Sequence, residues 1–449
     1  ETVATAFAPA DEYPTALLDE VWKETLTYQF HDILPGTCIE RVYRETAPAY
    51  ARMKQLMSDY AEGCLPAGDK PAAVNLTSFA RDEHVQFEGE WYRARVAPYS
   101  IAALEPVSTE QTLSFTKSTM ENGLVRLAFN EFGEIVSYRT ADGRELAAGS
   151  LNRLTLYQDP LMIPFNAWDI NPNYTKLPAR RLRAKTVSTK IEGPRIVREQ
   201  IYCFGKSKII QRIVLEVGSD CVRFKTRVDW HERLRMLRAD FDPADYGDTA
   251  EFEIQFGAIS RATTERNSIE SAQFEVCGHK WASVHQNGRG FALLNDSKYG
   301  HRVKNGRMSL NLLRAPVYPN KTADRGEQTF TYAICPLGAD NARAVEEAYR
   351  LNHPLLVGHY RETASVASVS NPAIVIETIK RSEDGTAIVL RLFESLGKDA
   401  ETALSTRFSY KKATLCDLLE RPLGEIDLAN LRFHPYQIVS IRLEGGMFQ

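Results

Sequence analysis

The hydrophobic pattern of this chain changes its period near residue 63, and this change constrains the fold more than any other feature of the sequence. Before it, apolar residues recur every three or four positions, which is typical of amphipathic helices. After it, β-branched and aromatic residues alternate with polar ones between turn sequences, which is typical of antiparallel strands. The sequence therefore predicts a short helical segment followed by a much longer β region.

The helical segment, residues 1–62, is predicted to be a helical hairpin that forms part of a helix bundle. A first amphipathic helix is expected at about 15–30. A second helix is expected to begin at Thr37, which we assign as the N-cap of a capping box with Glu40. Pro48 falls inside the second pattern, where we expect a kink rather than an end.

Two stretches are predicted to be irregular by composition, a lead-in at 1–16 and a linker at 63–71. Beyond the linker we expect large antiparallel β-sandwich domains, one at 73–360 with a small β module at 73–106, and a C-terminal one at 371–449. Hairpin turns are predicted at Asp142-Gly143, Asn287-Gly288, Asn305-Gly306 and Asp384-Gly385. The predicted fold class is mainly β with an N-terminal α-helical segment.

The charge of the chain is nearly balanced, with 55 lysines and arginines against 58 aspartates and glutamates. With charges this balanced, we expect no large electrostatic field of one sign around the protein. This argues against nucleic acid, an anionic membrane or a polyacidic substrate as the partner. We expect a neutral small molecule or a sugar instead. The composition leaves open whether the chain forms a homo-oligomer.

The seven cysteines lack C-x-x-C spacing, and their odd number cannot pair completely within the chain. They are typical of reduced thiols in a cytosol-like compartment. The sequence has no apolar run long enough for a membrane span, and its N-terminus does not resemble a signal peptide. We therefore expect a soluble, cytoplasmic protein. Because the chain begins at Glu1 rather than methionine, we also expect it to be a fragment of a longer protein.

The adjacent pair His31-Asp32 is the clearest candidate for active-site chemistry, because it lies in the predicted loop between two helices. An imidazole can bind zinc, and a neighbouring carboxylate can accept hydrogen bonds from sugar hydroxyls. Taken alone the pair is weak evidence, since a histidine at a helix end more often makes ordinary hydrogen bonds. A catalytic zinc site also usually needs three protein ligands.

The sequence around this pair resembles the signature segment of glycoside hydrolase family 38, the α-mannosidases. Residues 20–26 read Glu-Val-Trp-Lys-Glu-Thr-Leu, and residues 29–37 read Gln-Phe-His-Asp-Ile-Leu-Pro-Gly-Thr. Further matches follow in the family's order at 167–170 (Ala-Trp-Asp-Ile), 279–281 (His-Lys-Trp), 294–300 (Leu-Asn-Asp-Ser-Lys-Tyr-Gly), 313–316 (Leu-Arg-Ala-Pro), 324–327 (Asp-Arg-Gly-Glu) and 377–381 (Glu-Thr-Ile-Lys-Arg). The resemblance covers nearly the whole chain and is strongest to the cytosolic and bacterial branch.

The resemblance implies a retaining, zinc-dependent hydrolase of terminal α-mannosyl residues in glycans, with an aspartate nucleophile. By position in the motif, His31 would be a ligand of one zinc ion and Asp32 would bind hydroxyls of the mannose. The family's other ligands and its nucleophile come from an N-terminal catalytic barrel. None of the nine histidines is followed two positions later by aspartate, so the barrel's metal motif is absent from this sequence. We therefore assign no catalytic residue to this chain and expect it to be inactive alone.

Two positions depart from the family pattern. Tyr28 stands where asparagine is common, and Gln328 stands where histidine often follows Gly-Glu. These departures concern local details of the resemblance.

Four polar residues after predicted strands are further candidates for contact with a sugar: Asn295, Asp296, Asp324 and Arg325. The alternative, which we favour, is that they stabilise turns by bonding their own backbone or each other. Trp168, His279 and Trp281 could stack on a sugar ring, but buried aromatic residues with a bonded polar atom are more common.

Three hypotheses compete. The first is a complete α-mannosidase to which this chain supplies His31 and Asp32, with a mannose-containing oligosaccharide as substrate. The second is a carbohydrate-binding or assembly β-sandwich protein without turnover. The third, a metal phosphohydrolase built on His31-Asp32, is weaker because no second histidine-aspartate cluster occurs in the sequence.

Overall fold

The computed structural model describes residues 1–9, 12–107, 112–160 and 165–445. Helices dominate the first 64 residues, and antiparallel strands dominate the rest. The predicted fold class, mainly β with an N-terminal helical segment, is therefore confirmed. Among the described residues, no helix is both long enough and apolar enough to cross a membrane.

Three helices form the N-terminal segment. The helices of the described residues are α1 (Thr2–Phe7), α2 (Thr15–Thr27), α3 (Glu40–Cys64), α4 (Ser268–Ala272) and α5 (Ala342–Asn352), with a 3-10 turn at Tyr174–Lys176. Helix α1 corrects the prediction of an irregular lead-in: its Val3 and Ala4 are buried, and Val3 packs against Leu65 and Val74. Burial of two small apolar side chains stabilises a helix too short to show a period.

The second predicted helix begins later than expected. Its N-cap is Ile39, which makes no side-chain capping bond, so the predicted capping box of Thr37 and Glu40 is wrong. The Thr37 hydroxyl donates instead to the carboxylate of Asp32. Pro48 lies inside α3 without ending it.

The strands of the first third of the chain are β1 (Ala67–Asn75), β2 (Arg81–Phe87), β3 (Glu90–Val96), β4 (Ser100–Ala103), β5 (Glu105–Pro106), β6 (Ser114–Phe115), β7 (Thr119–Glu121), β8 (Val125–Phe129), β9 (Ile135–Thr140) and β10 (Arg153–Gln158). The strands of the middle third are β11 (Arg180–Arg181), β12 (Thr186–Glu192), β13 (Arg195–Phe204), β14 (Ser207–Glu216), β15 (Val222–Trp230), β16 (Arg235–Phe241), β17 (Thr249–Ile254), β18 (Gly257–Ala262), β19 (Val276–Cys277), β20 (Trp281–Gln286) and β21 (Arg289–Asn295). The remaining strands are β22 (Gly300–Lys304), β23 (Arg307–Leu313), β24 (Gly326–Leu337), β25 (Leu356–Tyr360), β26 (Ala367–Val369), β27 (Ile374–Arg381), β28 (Ala387–Glu394), β29 (Ala400–Thr402), β30 (Leu404–Thr406), β31 (Lys412–Cys416), β32 (Pro422–Glu425), β33 (Leu431–Phe433) and β34 (Ile438–Glu444).

Two large sheets share the main core. One has nine strands in the order β12-β13-β14-β15-β24-β21-β20-β17-β18, and the other has six in the order β11-β10-β16-β23-β22-β19. Phe224 and Trp230 of β15 join Phe241 of β16 and Leu310 of β23 in one buried cluster. Alternating side chains of β15 are buried, as the period of two requires when one face of a strand meets the core.

The predicted hairpin turns lie at chain reversals. Asn287-Gly288 joins β20 to β21, and Asn305-Gly306 joins β22 to β23. All four residues have positive φ, from 53° to 80°, as a two-residue type I′ turn requires. These turns set the register of both hairpins.

The predicted linker at 63–71 is wrong, because β1 begins at Ala67. This strand pairs with β4 on one side and with β25 on the other. Helix α5 packs its buried face, including Ala344 and Ala348, against strands of the nine-stranded sheet. A five-stranded sheet, in the order β27-β28-β34-β31-β32, contributes side chains to a separate C-terminal core.

Candidate functional site

The loop between α2 and α3 is a defined turn rather than an extended connection. The Ile33 amide donates to the Phe30 carbonyl at 2.8 Å, and the Thr37 amide donates to the Asp32 carbonyl at 2.9 Å. Gly36 has a φ of 79°, a backbone conformation that residues with a Cβ rarely adopt. The backbone therefore fixes where the side chains of this loop point.

His31 presents its imidazole to solvent. The side chain is 80% exposed, and its Nε2 lies 4.0 Å from Oδ2 of Asp32. The neighbouring ring of Phe30 lies 4.1 Å away, centroid to centroid. Both ring nitrogens of an exposed histidine can reach a ligand, so the imidazole is available to a metal or a polar molecule.

Asp32 is held by two donors from different parts of the chain. Its Oδ1 accepts from the Thr37 hydroxyl at 2.8 Å and from the Trp168 indole nitrogen at 3.1 Å. The bond from Thr37, followed by that from Trp168, lowers the pKa of Asp32 below the ordinary value of a carboxyl group. The carboxylate therefore stays ionised near neutral pH, with Oδ2 directed toward the His31 side.

The segment that carries Trp168 is tied to a second loop of the β region. The Ala167 amide donates to the Tyr318 carbonyl at 3.1 Å. The side-chain oxygen of Asn166 accepts from the amides of Val317 at 3.2 Å and Tyr318 at 3.1 Å. Residues 165–169 and 314–318 thus form one bonded unit, which we call the paired loops.

A buried ion pair helps to hold the paired loops together. The guanidinium of Arg314 donates to both oxygens of Asp159, at 2.8 and 3.1 Å, and also to the Asp169 carbonyl. Asp159 is 1% exposed, and burial raises its pKa while the adjacent Arg314 opposes that shift. Because both charges are buried and matched, removing either one would leave the other uncompensated.

Asp324 also bonds the backbone of the paired loops. Its Oδ2 accepts from the amides of Arg314 at 2.8 Å and Ala315 at 2.9 Å. Gln328, the position that departs from the family pattern, donates to the Asp324 carbonyl at 2.8 Å. Sequence segments that lie far apart, around positions 32, 168, 314 and 324, therefore meet at one place.

Asn295 and Asp296 stabilise a turn after β21. Asn295 is fully buried, donates to the His279 carbonyl and accepts from the Lys298 amide, each at 2.8 Å. Asp296 accepts from the Thr331 amide at 2.8 Å. The structure thus gives both side chains a backbone role, and their contact with substrate stays a prediction.

Arg325 differs from these residues because its side chain is exposed. Its backbone amide donates to Thr322 at 3.1 Å, and its guanidinium has no partner within the part of the chain that the structure describes. Of the four polar candidates, Arg325 is therefore the one whose side chain is free to meet a ligand.

The other two aromatic candidates are less exposed than Trp168. Trp281 is 1% exposed and belongs to a core cluster with Leu294 and Tyr349, so it cannot stack on a ligand. His279 is half-buried, and its ring lies 5.5 Å from that of Tyr299.

The sequence alone missed Phe165 and Tyr318. Both lie on the paired loops beside Trp168, and their rings are 5.2 Å apart. The motif at 167–170 and the motif at 313–316 lie next to them in the sequence, but neither shows that the two loops meet. Only the fold places these two aromatic residues beside Trp168, which bonds Asp32.

The described residues fit a zinc site only in part. An exposed imidazole beside a carboxylate suits one ligand of a tetrahedral site, which needs at least three protein ligands. In residues 1–9, 12–107, 112–160 and 165–445, no group of three or more histidine, cysteine, aspartate or glutamate residues lies close enough to hold a metal ion. A complete site would therefore need ligands from outside these residues.

Three family models match the chain. Residues 1–66 match the α-mannosidase middle domain, residues 120–322 match the C-terminal domain of glycosyl hydrolases family 38, and residues 373–441 match that family's C-terminal β-sandwich domain. The candidate loop lies in the first of these matches, and the paired loops lie in the second.

Known relatives carry α-mannosidase names. The chain is 33% identical to human Alpha-mannosidase 2C1 over 96% of this chain and 46% of that protein. It is 27% identical to an Alpha-mannosidase of Saccharomyces cerevisiae over 96% of this chain and 44% of that protein. The chain thus spans about half the length of these relatives.

A solved structure shares the fold. The crystal structure of an alpha-mannosidase from Enterococcus faecalis V583 superposes with a TM-score of 0.83 and 14% identity, covering 99% of this chain and 65% of that one. At this identity the match supports the architecture alone. The three family models and the relatives show that the chain belongs to glycoside hydrolase family 38 and carries the middle and C-terminal domains of that family.

Proposed function

We propose that the full-length protein, meaning the protein that contains this chain, is a zinc-dependent, retaining α-mannosidase acting on terminal α-mannosyl residues of glycans. The observation that carries the proposal is the exposed His31 imidazole beside the ionised Asp32 carboxylate, which is fixed by donors from both the helical and the β region. The α-mannosidase names of the relatives support the substrate class.

In this proposal His31 is one ligand of a zinc ion, and Asp32 binds mannose. Zinc, when bound, would supply a Lewis acid that positions and polarises sugar hydroxyls. Asp32 would accept hydrogen bonds from hydroxyls through Oδ2, because Oδ1 already accepts from Thr37 and Trp168. Arg325 would contact the glycan through its exposed guanidinium.

The remaining zinc ligands and the nucleophilic aspartate would come from a catalytic barrel elsewhere in the same protein. The helical segment offers a surface for it. Large apolar side chains of α2 and the following loop, Trp22, Leu26, Phe30 and Leu34, are 49 to 71% exposed. A row of exposed apolar residues is typical of an interface. The relatives, about twice the length of this chain, leave room for such a domain.

We further propose that the protein works in the cytosol. All seven cysteines are free thiols, although Cys221 and Cys335 are both buried in the same core cluster. Free thiols in this number are usual in a reducing compartment.

Activity can be tested with an aryl α-mannoside. The full-length protein should release the phenol in a metal-dependent reaction, whereas this chain alone should show no turnover, because it supplies a single imidazole and no nucleophile. Sustained turnover by this chain alone would disprove the composite site. Sugar binding without turnover by the full-length protein would favour a carbohydrate-binding role.

The metal assignment can be tested separately by elemental analysis. In the full-length protein, His31→Ala should abolish stoichiometric zinc while the β region stays folded by circular dichroism. His434→Ala is the matched control, because His434 is also exposed and lies 3.0 Å from an aspartate, Asp399. Unchanged zinc content in His31→Ala would remove His31 from the site.

A further inference from the structure

Three exposed aromatic rings lie together beside Asp32. Phe165, Trp168 and Tyr318 are 52, 48 and 44% exposed. Their ring centroids are 5.6 Å apart for Phe165 and Trp168, 5.2 Å for Phe165 and Tyr318, and 6.4 Å for Trp168 and Tyr318. We call these residues the aromatic platform.

The platform is held in place by the paired loops. Trp168 donates to Asp32 through its indole nitrogen, and its amide donates to the Phe165 carbonyl at 3.2 Å. Tyr318 is fixed through its backbone, which bonds Asn166 and Ala167. The exposure of the rings is therefore not the result of a loosely held segment.

Aromatic side chains in this arrangement do not stabilise the core, because about half of each surface remains in water. A cluster of exposed apolar surface usually marks a binding site. A pyranose ring has an apolar face of C–H groups and a polar edge of hydroxyls, so it fits a surface where aromatic faces adjoin a carboxylate. The platform and Asp32 together provide both kinds of contact.

We propose that the aromatic platform binds the sugar on the leaving-group side of the terminal mannose and so sets a preference for glycans over substrates with small leaving groups. The inference rests on the proposed function. Asp32 offers the terminal mannose its Oδ2, while the other oxygen is bonded to Trp168. The platform therefore adjoins the carboxylate that binds the terminal mannose in the proposed function. Since that mannose is the chain end, its neighbour in the glycan is the leaving-group sugar.

The test compares two substrates of the full-length protein, an α-linked mannose disaccharide and α-mannosyl fluoride. The disaccharide has a leaving sugar, and the fluoride has none. Phe165→Ala and Tyr318→Ala should each lower kcat/KM for the disaccharide about tenfold more than for the fluoride, which corresponds to about 1.4 kcal/mol of transition-state binding. Phe115→Ala, which removes a 40% exposed ring from strand β6, should leave the ratio of the two kcat/KM values unchanged.

A third variant separates the platform from the support of Asp32. Trp168→Phe keeps a ring but removes the donor to Asp32, so it should lower kcat/KM for both substrates. An equal loss on both substrates in Phe165→Ala and Tyr318→Ala, or no loss in either, would overturn the inference. Equal losses would indicate that these rings pack against the rest of the protein.

Failure of the proposed function gives a different result. If the full-length protein hydrolyses neither substrate, α-mannosidase activity is disproved, and the platform is tested by binding of the disaccharide in saturation-transfer NMR. Loss of that binding in Phe165→Ala, with binding retained in Phe115→Ala, would support the platform. Unchanged binding in Phe165→Ala, or no binding by the wild-type protein, would overturn it.

Discussion

The helical segment and the β region bury their side chains to very different extents. Helix α3 has 25 residues, of which only Thr46 and Met53 are buried, and α2 buries only Leu18. Strand β15 has nine residues and buries alternate side chains along its whole length. The β region is therefore stabilised by its own core, whereas much of the apolar surface of the helices has no partner among the described residues. In the proposed function this exposed surface of the helices would meet the catalytic barrel, and the loop with His31 and Asp32 lies beside it.

The contacts between α2 and α3 agree with this comparison. Thr25 donates to the sulfur of Met53 at 3.8 Å, the rings of Tyr28 and Tyr50 lie 5.4 Å apart, and Arg52 pairs with Glu24. Partly exposed pairs of this kind contribute little stability.

The largest effect is expected in the main core. Phe224 is fully buried and stacks on Tyr332 with ring centroids 4.9 Å apart. Phe224→Ala should lower the free energy of unfolding of the β region by about 4 kcal/mol, because it leaves a cavity where a whole ring was packed. Urea denaturation measures this, with Phe115→Ala as an exposed control. A loss below about 1 kcal/mol would contradict the view that this core is tightly packed.

Burial of charge should produce the next largest effect. Two ion pairs of the chain are bidentate, Arg314–Asp159 and Arg93–Asp82. They differ in depth, because Asp159 is 1% exposed whereas the Asp82 side chain is 50% exposed. Asp159→Ala should cost about 3 kcal/mol by leaving Arg314 buried without a counter-charge.

Asp82→Ala, the matched variant, should cost less than about 1 kcal/mol. Because Arg314 also bonds the Asp169 carbonyl, Asp159→Ala should change the fluorescence of Trp168 as well. Equal unfolding free energies in the two variants would show that the depth of the pair does not decide its contribution.

A pH-dependent effect of intermediate size is expected at His301. Burial, followed by the nearby guanidiniums of Arg238 and Arg261, lowers the pKa of His301 from 6.5 to about 3. The unfolded chain therefore takes up a proton first as pH falls, so stability present above pH 6.5 is lost below it. At pH 5 the loss from this group should be roughly 2 kcal/mol.

His301→Leu should remove this part of the pH dependence, measured as the slope of unfolding free energy between pH 6.5 and 5. His434→Leu, at an exposed histidine, is the control and should change the slope less than His301→Leu does. An unchanged slope in His301→Leu would assign the acid sensitivity to other groups.

The smallest effect concerns the helical segment and sharpens the comparison most directly. Leu34 and Leu419 are 71 and 69% exposed. In this chain, alanine at either position should change stability by no more than about 0.5 kcal/mol. In the full-length protein, Leu34→Ala should cost at least about 1 kcal/mol because the proposed interface buries it, whereas Leu419→Ala should stay neutral. Equal behaviour of both leucines in the full-length protein would argue against docking at the loop that follows α2.

Strands and turns were predictable because local rules specify them. The Asn-Gly turns at 287–288 and 305–306 follow from residues that tolerate positive φ, and β15 follows from strict alternation. The helix α1 and the start of β1 at Ala67 were missed because each depends on burial against distant residues. The capping box failed for a similar reason: Thr37 bonds the Asp32 side chain, a local alternative that the motif does not exclude.

The sequence by itself determined the change from a helical to an alternating pattern, and the long motif around His31-Asp32 made this pair the candidate site. These are local properties, because each depends on residues that lie close together in the sequence. Only the tertiary structure decided that Trp168 donates to Asp32, that Arg314 and Asp159 form a buried pair below, and that Phe165 and Tyr318 stay exposed. These residues lie up to about 290 positions apart, and no pattern of period or spacing specifies such contacts, because they depend on how the sheets and helices pack together.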